Sequence, residues 1–126
     1  MEDCKPVKTP LDPNQILTKE MAPKEDTEIS EMKNVPYKEA LSSLMYAYLV
    51  TRMDLGCAVS TLGAFADNPR KTHWNALKRV LHYIKGTKDF KLTFNNFGKA
   101  KLVGYSDANW AGNVDDRRQL VGMFFY

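Results

Sequence analysis

The feature that most constrains this chain is a change of hydrophobic period at Gly86. Before it, Leu41, Leu44, Met45 and Tyr48 fall at i, i+3, i+4 and i+7, the spacing that lines one face of a helix. Leu55, Ala58, Val59, Leu62, Phe65 and Ala66 repeat the pattern, and Trp74, Leu77, Leu81 and Ile84 repeat it again. After Gly86 the period drops to two, with Phe90, Leu92 and Phe94 alternating with Lys91 and Thr93, as a half-buried strand requires. The chain therefore reads as α+β: three amphipathic helices packed as a small bundle, then strands.

Local signals set the expected boundaries. Five of the six prolines lie within residues 1–36. Each fixes φ and removes an amide donor, so residues 1–35 are expected to be an extended connecting segment that lies on a larger body. Residues 36–86 form the helical region. Thr51 and Asp54 give an S/T-x-x-D start for the second helix, and Asn68-Pro69 stops it. Thr72 is the expected N-cap of the third helix and Gly86 its left-handed terminator. Residues 87–126 form the β region, with strands at Phe90–Phe94, Lys101–Ser106 and Leu120–Tyr126. A chain that stops on Met123-Phe124-Phe125-Tyr126 is expected to be a truncated domain.

Charge is distributed unevenly. Residues 1–40 carry nine acidic and six basic side chains, whereas residues 70–91 carry seven basic ones against Asp89 alone. Such an excess makes a field suited to phosphate, although the same composition also describes a solvated helix face. Lys78, Arg79 and Lys85 lie mostly off the apolar stripe and are the candidate phosphate contacts. The longest apolar run, Leu44 to Val50, is too short to cross a bilayer. No membrane partner and an intracellular location, cytoplasm or nucleus, are expected. Cys4 and Cys57 have no CxxC spacing and read as free thiols. His73 and His82 lack metal-ligand spacing, and Trp74 reads as core.

Four segments, taken in order, carry a resemblance. They are DCKPVKTPLDPN (3–14), NVPYKEALSSLMYAYLVTRMDLGCAVSTLGAFADNP (34–69), HWNALKRVLHYIKGTKDFKLTF (73–94) and LVGYSDANWAGNVDDRR (102–118). Together they resemble the Ty1/copia-type retrotransposon Pol polyprotein, where reverse transcriptase runs into ribonuclease H. The resemblance implies that residues 36–86 are a thumb-like helical bundle. It also implies that residues 87–126 hold the first strands of an incomplete ribonuclease H-like domain. Asp107 then matches the first metal-binding aspartate of that domain, a catalytic position vestigial here. The parent enzyme uses Mg2+ held by clustered carboxylates; this chain alone is expected to bind none. Read without the resemblance, Asp107 equally caps a turn. The resemblance also implies that Ser42 falls where the thumb helix meets the duplex.

The chain departs from the family pattern at several points. Ser42-Ser43 replaces a usual Gly-Ser, Met53 a proline, and Asn109 and Asn113 aspartates; Gln119-Leu120-Val121 replaces a serine- and threonine-rich run. Asp115 and Asp116 sit beside Arg117 and Arg118 and read either as a self-paired loop or as further ligands. A Y-x-D-D-type palm turn is missing from the sequence. The expected function is thus a Pol fragment, catalytically inactive alone, with RNA–DNA hybrid or DNA duplex and the remainder of Pol as partners. The alternative is a small retroelement-derived module that binds nucleic acid or protein.

Overall fold

Helix α1 spans Tyr37–Val50. Pro36 stands just before it, where a missing amide is harmless, and its carbonyl accepts the Ala40 amide at 3.1 Å. Tyr37, Leu41 and Leu44 are its buried residues, whereas Met45 is 45% exposed. The expected apolar face is therefore rotated toward Tyr37. The Tyr37 hydroxyl donates to the Leu62 carbonyl at 2.9 Å, so the phenol satisfies its polar tip while its ring fills the core.

The computed structural model describes residues 4–18, 30–90, 104–109 and 120–125. It divides into two units, Met1–Phe90 and Lys91–Tyr126. In the first, a 3-10 turn at Met53–Leu55 leads into α2, Gly56–Gly63. The expected helix start at Thr51 is not used. Thr51 closes α1 through its amide to the Ala47 carbonyl at 3.0 Å. The Asp54 carboxylate goes to Arg52 instead, at 2.9 and 2.8 Å, because a two-pronged bond to a guanidinium outweighs a single amide. Helix α2 also ends before Asn68-Pro69. The Phe65 and Ala66 amides bond the Leu62 and Gly63 carbonyls at 3.1 Å, the tight turn that satisfies a helix terminus.

Helix α3 runs Lys71–Gly86. Its N-cap is Arg70, not Thr72, because the His73 ring accepts the Arg70 amide at 2.9 Å. Gly86 stays within the helix and is no left-handed terminator; Thr87, at φ −122°, closes it. The Thr87 hydroxyl donates to the Tyr83 carbonyl at 2.8 Å. The buried stripe is His73, Ala76, Leu77 and Val80; Trp74, Leu81 and Ile84 border the core half-buried.

Leu55, Ala58, Val59 and Leu62 meet the buried faces of α1 and α3 in one cluster. Close approach is needed at Gly56, where a Cβ would lie 2.8 Å from the Tyr48 ring. In the second unit, β1 (Gly104–Asn109) pairs antiparallel with β2 (Leu120–Phe125), Gly104 opposite Phe125 and Asn109 opposite Leu120. The first of these strands continues three residues past the expected end at Ser106. Pairing with β2 carries it through Ala108 and Asn109, an effect residue preference does not register. Phe90, the expected start of a strand, is 73% exposed and follows a turn in which its amide bonds the Thr87 carbonyl at 3.1 Å. The rest of that strand, 91–94, lies outside the described residues.

Tyr37→Phe should cost about 1 kcal/mol, the usual net value of one hydrogen bond, since the Leu62 carbonyl keeps its bond from Phe65. Leu77→Ala should cost about 2–5 kcal/mol through the cavity it leaves. Urea denaturation of the two variants should show that separation.

Candidate nucleic-acid interface

On α3 the cations fall into two sets. Lys71, Lys78 and Lys85 are seven residues apart, two turns of helix, and so form one stripe about 10 Å per step. Lys71 and Lys78 are exposed, as is Lys88 in the following turn, whereas Arg79 and Lys85 are half-buried. Lys71 lies 3.9 Å from Glu31, both side chains largely in solvent, a geometry that contributes little.

The half-buried cations are engaged by the N-terminal segment. Lys85 Nζ donates to the Cys4 carbonyl at 3.0 Å. Arg79 Nη2 donates to the Thr9 hydroxyl at 3.0 Å, and Nη1 stands 3.9 Å from Asp12. Leu11 and Leu17 pack against the core. Within the described part of the N-terminal segment, Cys4, Thr9 and Asp12 therefore meet α3. Of the four candidate contact residues, Lys78 is exposed on α3 and Arg79 and Lys85 are covered in part. Ser42 is exposed on α1 beside Met45, Tyr46 and Leu49.

The loop before α2 is tied to the end of α3 by a network the sequence reading missed. Arg52 Nη2 bonds Asp54 at 2.8 Å and donates to the Thr87 hydroxyl at 2.7 Å. The Tyr83 hydroxyl donates to Asp54 at 2.9 Å, and the guanidinium lies 5.6 Å from the Tyr83 ring centroid. The bond from Arg52 holds the Asp54 carboxyl below the usual range, and the same pair raises Arg52. Burial, then Asp54, pushes the Tyr83 phenol up. The only sequence signal was Arg52-x-Asp54, which says nothing of Tyr83 or Thr87.

His73 also gains a role. It is fully buried and stacks on Phe65, centroids 4.1 Å apart. Its Nδ1 accepts the Arg70 amide, so Nε2 carries the proton of the neutral ring, and Nε2 is buried without a partner. Burial, with a smaller push from Arg70, lowers its pKa. Burial alone raises the Tyr37 phenol to about 12.

Asp107 lies inside β1, opposite Gly122, not at a strand end. Asp115, Asp116, Asn113 and Trp110 lie outside the described residues. Among the described residues no three His, Cys, Asp or Glu side chains gather as a metal would need. Cys4 and Cys57 are free thiols. Among the described residues no helix is long and apolar enough to cross a membrane.

The sequence matches one segment of retroelement polyproteins. The chain is 42% identical over 125 residues to the retrovirus-related Pol polyprotein from transposon TNT 1-94 of Nicotiana tabacum, covering 99% of this chain and 9% of that protein. It is 38% identical over 128 aligned positions to the Pol polyprotein from transposon RE2 of Arabidopsis thaliana, covering 100% and 8%. It is also 54% identical over 94 residues to the secreted RxLR effector protein 161 of Plasmopara viticola, 75% of this chain and 66% of that one. No family model matches the chain, and no solved structure does. The chain belongs to the copia-type retrotransposon Pol polyproteins, as a segment that spans less than a tenth of the length of these transposon relatives.

The depressed His73 pKa fixes a sign for acid sensitivity. The folded state favours the neutral ring, so its stabilisation is complete above the unfolded value near 6.5 and is lost as pH falls through the folded value. Urea midpoints should therefore drop between pH 7.5 and pH 5. In His73→Phe, which keeps an aromatic ring against Phe65, that drop should shrink.

Proposed function

We propose that residues 36–86 are the thumb-like bundle of the parent polymerase and residues 87–126 the opening strands of its ribonuclease H-like domain. In this reading α3 holds nucleic acid, RNA–DNA hybrid or duplex, weakly and without sequence preference. The observation that carries it is the exposed pair Lys71 and Lys78 on one stripe of α3, with Lys88 exposed in the turn that follows, on a chain 42% identical to a retrotransposon Pol polyprotein. Each cation that meets a phosphate releases a counterion, which makes such binding steeply salt-dependent. Ser42 lies on the exposed face of α1 and serves the duplex as part of the thumb.

The chain alone cleaves nothing. Two-metal hydrolysis of an RNA strand needs several carboxylates around two ions, and Asp107 supplies one. Mg2+ belongs to the parent enzyme, the remainder of Pol is the natural partner, and the setting is cytoplasm or nucleus.

Three exposed cations should give a slope of about −3 for log K against log salt on duplex DNA. Lys78→Glu should flatten it by about 1. An RNA–DNA hybrid incubated with the chain and Mg2+ should stay intact, and Asp107→Asn should change nothing. Mg2+-dependent cleavage that Asp107→Asn abolishes would refute the inactive reading; salt-independent binding would refute the cationic helix.

A further inference from the structure

We propose that the segment Cys4–Leu17 is a built-in lid on α3 that competes with phosphate for Arg79 and Lys85, so that the helix shows only part of its nucleic-acid affinity while the lid is seated. The inference rests on the cationic-helix reading above and adds its regulation.

The lid is made of two groups of contacts along the C-terminal half of α3. At the end of α3, Lys85 Nζ bonds the Cys4 carbonyl at 3.0 Å, and Pro6 crosses Gly86 so closely that a Cβ there would lie 2.9 Å from the Pro6 ring. One to two turns earlier, Arg79 meets Thr9 and Asp12. Beyond that, Leu11 and Leu17 anchor the segment to the core. The oxygens by which the segment meets these cations are a carbonyl, a hydroxyl and a carboxylate, acceptor types that a phosphate replaces with stronger, charged ones.

The lid is also built to be displaced. Its contact with Asp12 is long, at 3.9 Å, and partly in solvent. Arg79 Nε is buried with no hydrogen-bond partner, so the lid leaves one guanidinium donor unsatisfied. An unmet donor on a charged group is costly, and a phosphate reaching the whole fork would relieve it. Prolines 6, 10 and 13 keep the segment extended and leave it fewer amides for internal bonding. Its grip on these cations is polar, with Leu11 and Leu17 as apolar anchors on the core.

The test lifts the lid without altering charge. Gly86→Ala sets a methyl against Pro6 at an exposed helical position and favours the helix itself; Thr9→Ala removes the hydroxyl from Arg79. Both are made in the full chain with Cys57→Ser, so that Cys4 is the single thiol. Two readouts follow: the rate of Cys4 alkylation by iodoacetamide, and the salt dependence of binding to a duplex DNA. Circular dichroism checks that the helices persist. The double variant should alkylate faster, bind tighter at low salt, and show a slope steeper by about 1 to 2, one step for each cation released. Faster alkylation with unchanged or weaker binding would overturn the lid while leaving the cationic-helix reading intact. Unchanged alkylation would overturn it too, because the segment would not be held by these contacts. Binding absent from the parent chain and the variant alike would sink both readings.

Discussion

An eight-residue helix has no stability of its own in water, because forming the first turn costs more than so few hydrogen bonds return. Helix α2 exists because Leu55, Ala58, Val59 and Leu62 lose their water against α1 on one side and α3 on the other. The remaining order of the first unit depends on that burial. Tyr37 reaches the α2 terminus, Phe65 follows it to stack on His73, and the 3-10 turn before it carries Arg52 to the end of α3. A small core of this kind leaves little reserve, since a domain of this size buries a modest share of its surface.

Polar contacts then fix how the ends of these helices meet. The Arg52–Asp54–Tyr83–Thr87 network closes the bundle at one end, and Thr87 is buried there with both its donor and its acceptor roles filled. At the other end His73 joins a cap and a ring stack in one side chain. These groups are paired except for His73 Nε2 and Arg79 Nε among the buried side-chain atoms described. One makes the fold sensitive to acid and the other makes the N-terminal segment displaceable.

Membership of the copia-type Pol polyproteins places the chain within a much longer kind of protein, of which it matches less than a tenth. That scale separates two levels of function. Whatever the rest of such a protein does, a cationic helix keeps its attraction for phosphate, because Coulomb attraction requires only charge and access. Access is what the N-terminal segment changes.

Much was legible in the residue order. The helical periods around Leu41, Leu62 and Leu77 and the motif run from DCKPVKTP to DDRR were local patterns, and the family followed from them. The exposed Lys78 was legible for the same reason, since a charged residue off an apolar stripe faces water. What the order could not supply were contacts between residues far apart in sequence. Thr51 and Thr72 looked like helix starts until Arg52 drew Asp54 away and His73 reached back to the Arg70 amide. Arg79 and Lys85 looked as open as Lys78 until residues 4–12 settled on them, across separations of 70 and 81 residues. Periodicity is set by the pitch of one helix and is written locally; which cation is covered depends on where a distant segment comes to rest, and only the tertiary structure decides that.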